Sequence, residues 1–99
     1  VEDRIRRFRE IQVDATVLAR YVGRYEVEPG LVLTVDLFEG RLRIDIPGQG
    51  AYPLGAESET RFFFQEADVW IDFVADPTGA VTSLVLQQLG TDYTARRIQ

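Results

Sequence analysis

From Arg24 onward the chain alternates apolar and polar residues with a period of two, which places successive side chains on opposite faces of a β-strand. Leu31, Leu33, Val35 and Leu37 point one way, and Leu42, Ile44 and Ile46 continue that set beyond a Glu39-Gly40 hairpin signal. Tyr52 and Leu54, Phe62 and Phe64, then Val69, Ile71 and Phe73, and finally Leu84 and Leu86 complete an apolar face. The other face carries Arg41, Arg43, Asp45, Arg61 and Asp72, as a wetted wall requires. Breaks at Pro29-Gly30, Pro47 to Gly50, Gly55-Ala56, Ala67-Asp68, Asp76 to Gly79 and Gly90 recur roughly every 8–12 residues, the rhythm of an antiparallel sandwich or barrel. The predicted strands cover residues 24–28, 31–38, 41–46, 50–55, 59–65, 69–75, 80–88 and 92–98.

About eight short strands in 99 residues must share one core. A meander of hairpins closes naturally into an up-and-down barrel, which removes its own edges. The expected fold is therefore all-β, a small antiparallel barrel with one short N-terminal helix. That helix is read from "DATVLARYVG": Asp14 as N-cap, Val17, Leu18 and Tyr21 as the apolar stripe, and Gly23 as the C-terminal stop. Residues 1–13 are read as an N-terminal linker or extension, leaving 14–99 as a single β-barrel domain. Within that extension "DRIRRFREI" fits a helical turn, while Ile11 and Val13 alternate like an entering strand. The first ten residues are charged, with no apolar signal-peptide core, and the chain is read as a fragment of a longer protein.

The alternation fails at Val32, Phe38, Phe63, Trp70, Val74 and Val85, which fall on the outward side. Outward apolar residues on neighbouring strands form patches that usually mark contacts. Phe63, Trp70, Val32 and Val85 are accordingly the candidate interaction surface, for another domain of a parent protein or for self-association. A barrel of eight strands is also just wide enough for side chains or for one small ligand. Tyr25 and Tyr52 are the candidate lining residues for such a small hydrophobic ligand.

Composition removes most chemistry. Cysteine, histidine and lysine are absent, and all 11 basic residues are arginine. A Ser-His-Asp triad, a Ser-Lys pair, a Schiff base and His- or Cys-ligated metal sites are thereby excluded within the chain. Ser58 and Ser83 are the only serines and have no such partner. Glu57 and Glu59 share a strand face at about 7 Å, a spacing glycosidases use, but they stand at a strand entry beside a turn and read as solvated acids. No segment has the spacing of a calcium loop, and "GQG" at 48–50 lacks the lysine of a phosphate loop, so no cofactor is expected. A net charge of −5 argues against nucleic acid, with Arg4, Arg6, Arg7 and Arg9 read as a solvated linker or strand. No window reaches the roughly 18 apolar residues of a membrane span, and the lack of cysteine is compatible with cytoplasm or periplasm.

The motifs "LARYVGRYEV", "PGLVLTV", "GRLRIDIPGQGAYPL", "ESETRFFF" and "VTSLVLQQLG…ARRI", in that order, resemble one accessory domain family. It is the lipocalin-like β-barrel found C-terminal to bacterial serine hydrolases of the β-lactamase and D-aminopeptidase type. The resemblance runs from about Val13 to Ile98, and Gly55-Ala56 departs from the Phe-Pro pair expected before "ESETRFFF". It implies a non-catalytic module that packs on the hydrolase domain, modulates substrate access or dimerises. It carries no catalytic residue onto this sequence.

Overall fold

A computed structural model describes residues 10–99, apart from the Gln65 side chain. The arginine cluster Arg4, Arg6, Arg7 and Arg9, and most of the segment considered for a helical turn, lie outside the described residues.

The structure is an antiparallel, nearly closed barrel. After a one-turn helix α1 (Ala15–Leu18) and a 3-10 turn (Ala19–Tyr21) come β1 (Gly23–Glu28), β2 (Leu31–Phe38), β3 (Arg41–Ile46), β4 (Gly50–Pro53), β5 (Gly55–Ala56), β6 (Arg61–Phe64), β7 (Val69–Ala75), β8 (Val81–Gln88) and β9 (Thr91–Arg97). The strands lie in the order β4-β3-β2-β1-β9-β8-β7-β6-β5. First and last strands pair, with Tyr25 opposite Arg97 and Glu26 opposite Arg96. The two ends of the sheet, β4 and β5, are neighbours in the chain, which is what brings the barrel close to closure.

Nine strands stand where about eight are expected because the predicted strand 50–55 changes partner midway. Gly50–Pro53 pairs with β3, whereas Gly55 and Ala56 pair with Phe63 and Phe62 of β6. Leu54, between them, is buried and donates its N–H to the Leu42 carbonyl at 2.7 Å. Gly55-Ala56, read from the sequence as a break, is thus a strand. β4 and β6 do not pair with each other among the described residues, and Tyr52 and Phe64 stack across that seam at 4.8 Å.

The interior largely follows the period-two assignment, with Leu31, Tyr52 and Phe64 only half-buried and one residue reversed. Leu33, Val35, Leu42, Ile44, Ile46, Leu54, Phe62, Val69, Ile71, Phe73, Leu84 and Leu86 are buried in one cluster. Leu37 is instead 42% exposed. It stands one residue from the end of β2, and the period assigns a face without supplying a neighbour over it.

The helical segment closes one end of the barrel. Asp14 is its N-cap: Oδ1 accepts from the Thr16 N–H and the Thr16 hydroxyl, both at 3.0 Å. Leu18 and Tyr21 turn into the core. Tyr21 stacks on Phe73 at 4.1 Å and meets Phe62 edge-on at 5.6 Å, while Tyr25 packs edge-on to Phe73 at 5.9 Å. Gly23 is not the expected helix stop. The last turn tightens to 3-10, Val22 is already extended, and Gly23 opens β1. Glycine is required there because a Cβ would lie 2.8 Å from the Gln99 carbonyl oxygen. Arg97 supplies the cap instead: its guanidinium donates to the carbonyls of Val22 at 2.8 Å, Arg20 at 3.2 Å and Val81 at 3.4 Å. No helix among the described residues is long and apolar enough to cross a membrane.

Candidate functional site

The outward apolar pair is assembled by pairing between β6 and β7. Arg61, Phe63 and Trp70, Asp72 lie on the side of the sheet away from the core, with Phe63 opposite Trp70 and Arg61 opposite Asp72. The rings of Phe63 and Trp70 approach to 5.5 Å, and neither belongs to the interior cluster. Burial is where the structure departs from the expectation of an open patch: Phe63 is 7% exposed and Trp70 2%. The Arg61 guanidinium lies over the indole at 4.4 Å. On the other side Phe63 lies against Gly55, where a Cβ would come 2.9 Å from the ring, and the Glu10 carboxyl carbon lies 3.2 Å from the same point. Only glycine at 55 leaves room for this ring.

The other two members of the predicted surface are dispersed. Val85 on β8 pairs with Asp72 and Thr94 and is half-buried, one row away from Trp70, whose β8 partner is Gln87. Val32 on β2 is also half-buried but is separated from β8 by β1 and β9. The structure therefore brings Phe63, Trp70 and Val85 close and leaves Val32 apart.

The two candidate lining residues differ. Tyr25 is a fully buried core residue whose hydroxyl donates to the Tyr21 carbonyl at 2.9 Å. Burial pushes its phenol up to about 12, partly opposed by nearby Arg97. Tyr52 is half-buried at the seam, its hydroxyl donating to Gln49 Oε1 at 3.3 Å.

The acidic turn is structural. Ser58 Oγ accepts from the backbone N–H of Thr60 at 3.2 Å and of Arg61 at 3.0 Å. Glu57 pairs with Arg61 at 3.5 Å, and the Glu59 carbonyl accepts from the Tyr21 hydroxyl. Asp76 works similarly in the β7–β8 turn, where Oδ1 accepts from the Thr78 hydroxyl and from the N–H groups of Thr78 and Ala80. The Thr78 hydroxyl is the main reason its carboxyl titrates below the ordinary carboxylate value. No three acidic residues gather to hold a metal ion among the described residues.

The end opposite the helix holds residues that the sequence does not single out. Gln49, in the β3–β4 turn, and Gln88, ending β8, exchange amide hydrogen bonds across the mouth: Gln88 Nε2 to Gln49 Oε1 at 3.0 Å, and Gln49 Nε2 to Gln88 Oε1 at 3.3 Å. They are 39 positions apart, and no local spacing signals the pair.

Known proteins place this barrel. The model of a family described as Domain of unknown function (DUF3471) matches residues 8–99. The chain belongs to that family. The DUF3471 match begins before the first strand and takes in Glu10 and Ile11, which fits their positions on the barrel. Ile11 donates its N–H to the Ala56 carbonyl at 2.8 Å, and Glu10 pairs with Arg41 at 3.1 Å. The chain is also similar to penicillin-binding protein 4* of Bacillus subtilis (strain 168), with 33% identity over 85 residues. That alignment takes 86% of this chain but only 19% of the length of the relative. A DUF3471 barrel thus corresponds to a minor part of a larger protein.

Proposed function

We propose that this DUF3471 domain is a non-catalytic accessory barrel that packs on a serine hydrolase domain of the β-lactamase type. The observation that carries this reading is the match to one fifth of a penicillin-binding protein, which leaves four fifths of that relative for other work. The lack of histidine, lysine and cysteine in the chain supports it, since the barrel brings no nucleophile-activating partner of its own. The outer wall of β6–β8 is the proposed contact face, with Val85 as its half-buried edge beside the covered Phe63–Trp70 pair.

The test uses a full-length parent protein carrying this barrel. Val85→Arg adds a charge to a half-buried outer-wall position without touching the core, so the barrel keeps its melting temperature while hydrolysis or assembly of the parent is impaired. Phe63→Ser with Trp70→Ser gives a larger loss. Unchanged activity and unchanged sedimentation in both variants would sink the reading. A parent whose activity is intact but whose self-association is lost would assign the same face to self-association instead.

A further inference from the structure

At the barrel end away from the helix, a pocket of about 180 Å³ lies between the β1–β2, β3–β4 and β8–β9 turns. Leu33, Ile46 and Leu86, all buried, form its inner lining, and Leu31 and Tyr93 stand nearer its rim. Gln49 and Gln88 complete it, joined to each other across the mouth. In a chain in which 27% of residues are charged, no charged side chain among the described residues lines this pocket. We infer that it is a binding site for one small neutral molecule built on a single aromatic ring with a hydroxyl or amide group.

Three physical facts specify that class. An apolar cavity on the order of 150 Å³ takes one benzene ring, so this volume suits a ring with one small substituent. A carboxylate or ammonium entering it would lose water with no countercharge to receive it, which excludes ions. The polar side chains lining the mouth among the described residues are two amides and the Tyr93 hydroxyl, all uncharged. The mutual hydrogen bonds of the amides sit at exposed positions, so a ligand hydroxyl or amide replaces one of them at little cost. Leu89 marks the same end. It follows Gln88, holds a left-handed φ of 51°, which asparagine or glycine adopts more readily, and is 79% exposed. Local backbone preference and solvation both disfavour a leucine there, whereas an apolar ligand at the mouth would give it a neighbour. The inference does not depend on packing against a hydrolase domain.

The deciding experiment is a methyl-detected NMR titration of the 99-residue chain with phenol, benzamide and benzoate. Phenol and benzamide should give saturable shifts at Leu33, Ile46 and Leu86 with Kd on the order of 1 mM, while Leu18 and Leu42 at the helix end stay still. Benzoate should bind at least about tenfold more weakly. Leu86→Phe, which fills the pocket, should abolish the shifts; if that variant does not fold, Tyr93→Ala at the exposed rim should weaken phenol severalfold. Absence of saturable shifts in the unmodified chain, shifts centred on the helix end, or benzoate binding as tightly as phenol would each overturn the assignment.

Discussion

At the helix end of the barrel, a segment that precedes the first strand inserts Leu18 and Tyr21 among Tyr25, Phe62 and Phe73, and Arg97 ties its carbonyls to the last strand. At the other end, among the described residues, turns and a pair of surface glutamines span the opening. The same nine-stranded sheet runs between both ends, so the difference does not come from the sheet. It comes from what each end recruits. Aromatic rings in mutual contact exclude water and hold one arrangement, whereas exposed amides trade partners with water at almost no cost. Stability should therefore concentrate at the helix end and exchange at the mouth.

The contrast can be broken most directly at Phe73, which touches Tyr21, Tyr25 and Phe62. Phe73→Ala should cost about 3–5 kcal/mol in denaturant unfolding; a loss under about 1 kcal/mol would mean that the aromatic cluster is not the keystone of that end. Arg97→Ala should cost about 1.5–3 kcal/mol by leaving helix-end carbonyls without their charged donor, and Arg97→Lys should restore little because one ammonium cannot reproduce the fork. Tyr25 gives the same end a pH signature. Its folded pKa, about 12, exceeds the ordinary value of 10.0, so the folded state holds the proton more tightly. That contribution is complete below pH 10 and is lost as pH rises toward 12, which thermal melts over that range would show and Tyr25→Phe should flatten.

At the mouth the expected effects are smaller and one has the opposite sign. Leu89→Asn should stabilise the chain by about 1 kcal/mol, because asparagine accepts the left-handed backbone that leucine resists. Gln49→Ala should change stability by no more than about 0.5 kcal/mol. A cost at Gln49 comparable to that at Phe73 would erase the contrast between the two ends.

Much of this was legible along the chain, since a pleat alternates faces whatever lies opposite. The core from Leu33 to Leu86, the N-cap at Asp14 and the outward direction of Phe63 and Trp70 all follow from local rules. Burial of that outward pair does not, because it depends on Gly55 and Glu10 arriving from other parts of the chain and on Arg61 lying over the indole across the strand pair. Gly23 shows the same limit: its sequence context suits a helix stop, yet its need for no side chain is set by Gln99, 76 positions away. Nor could the split at Leu54 be read in advance, as an unbroken apolar alternation says nothing about which neighbour each half will pair with. The sequence by itself determined a β meander, its two faces and the chemistry it cannot perform, because periodicity and residue type are local properties. The tertiary structure alone decided the seam, the closed end and the amide-spanned mouth, because each is made by residues that only closure of the barrel brings together.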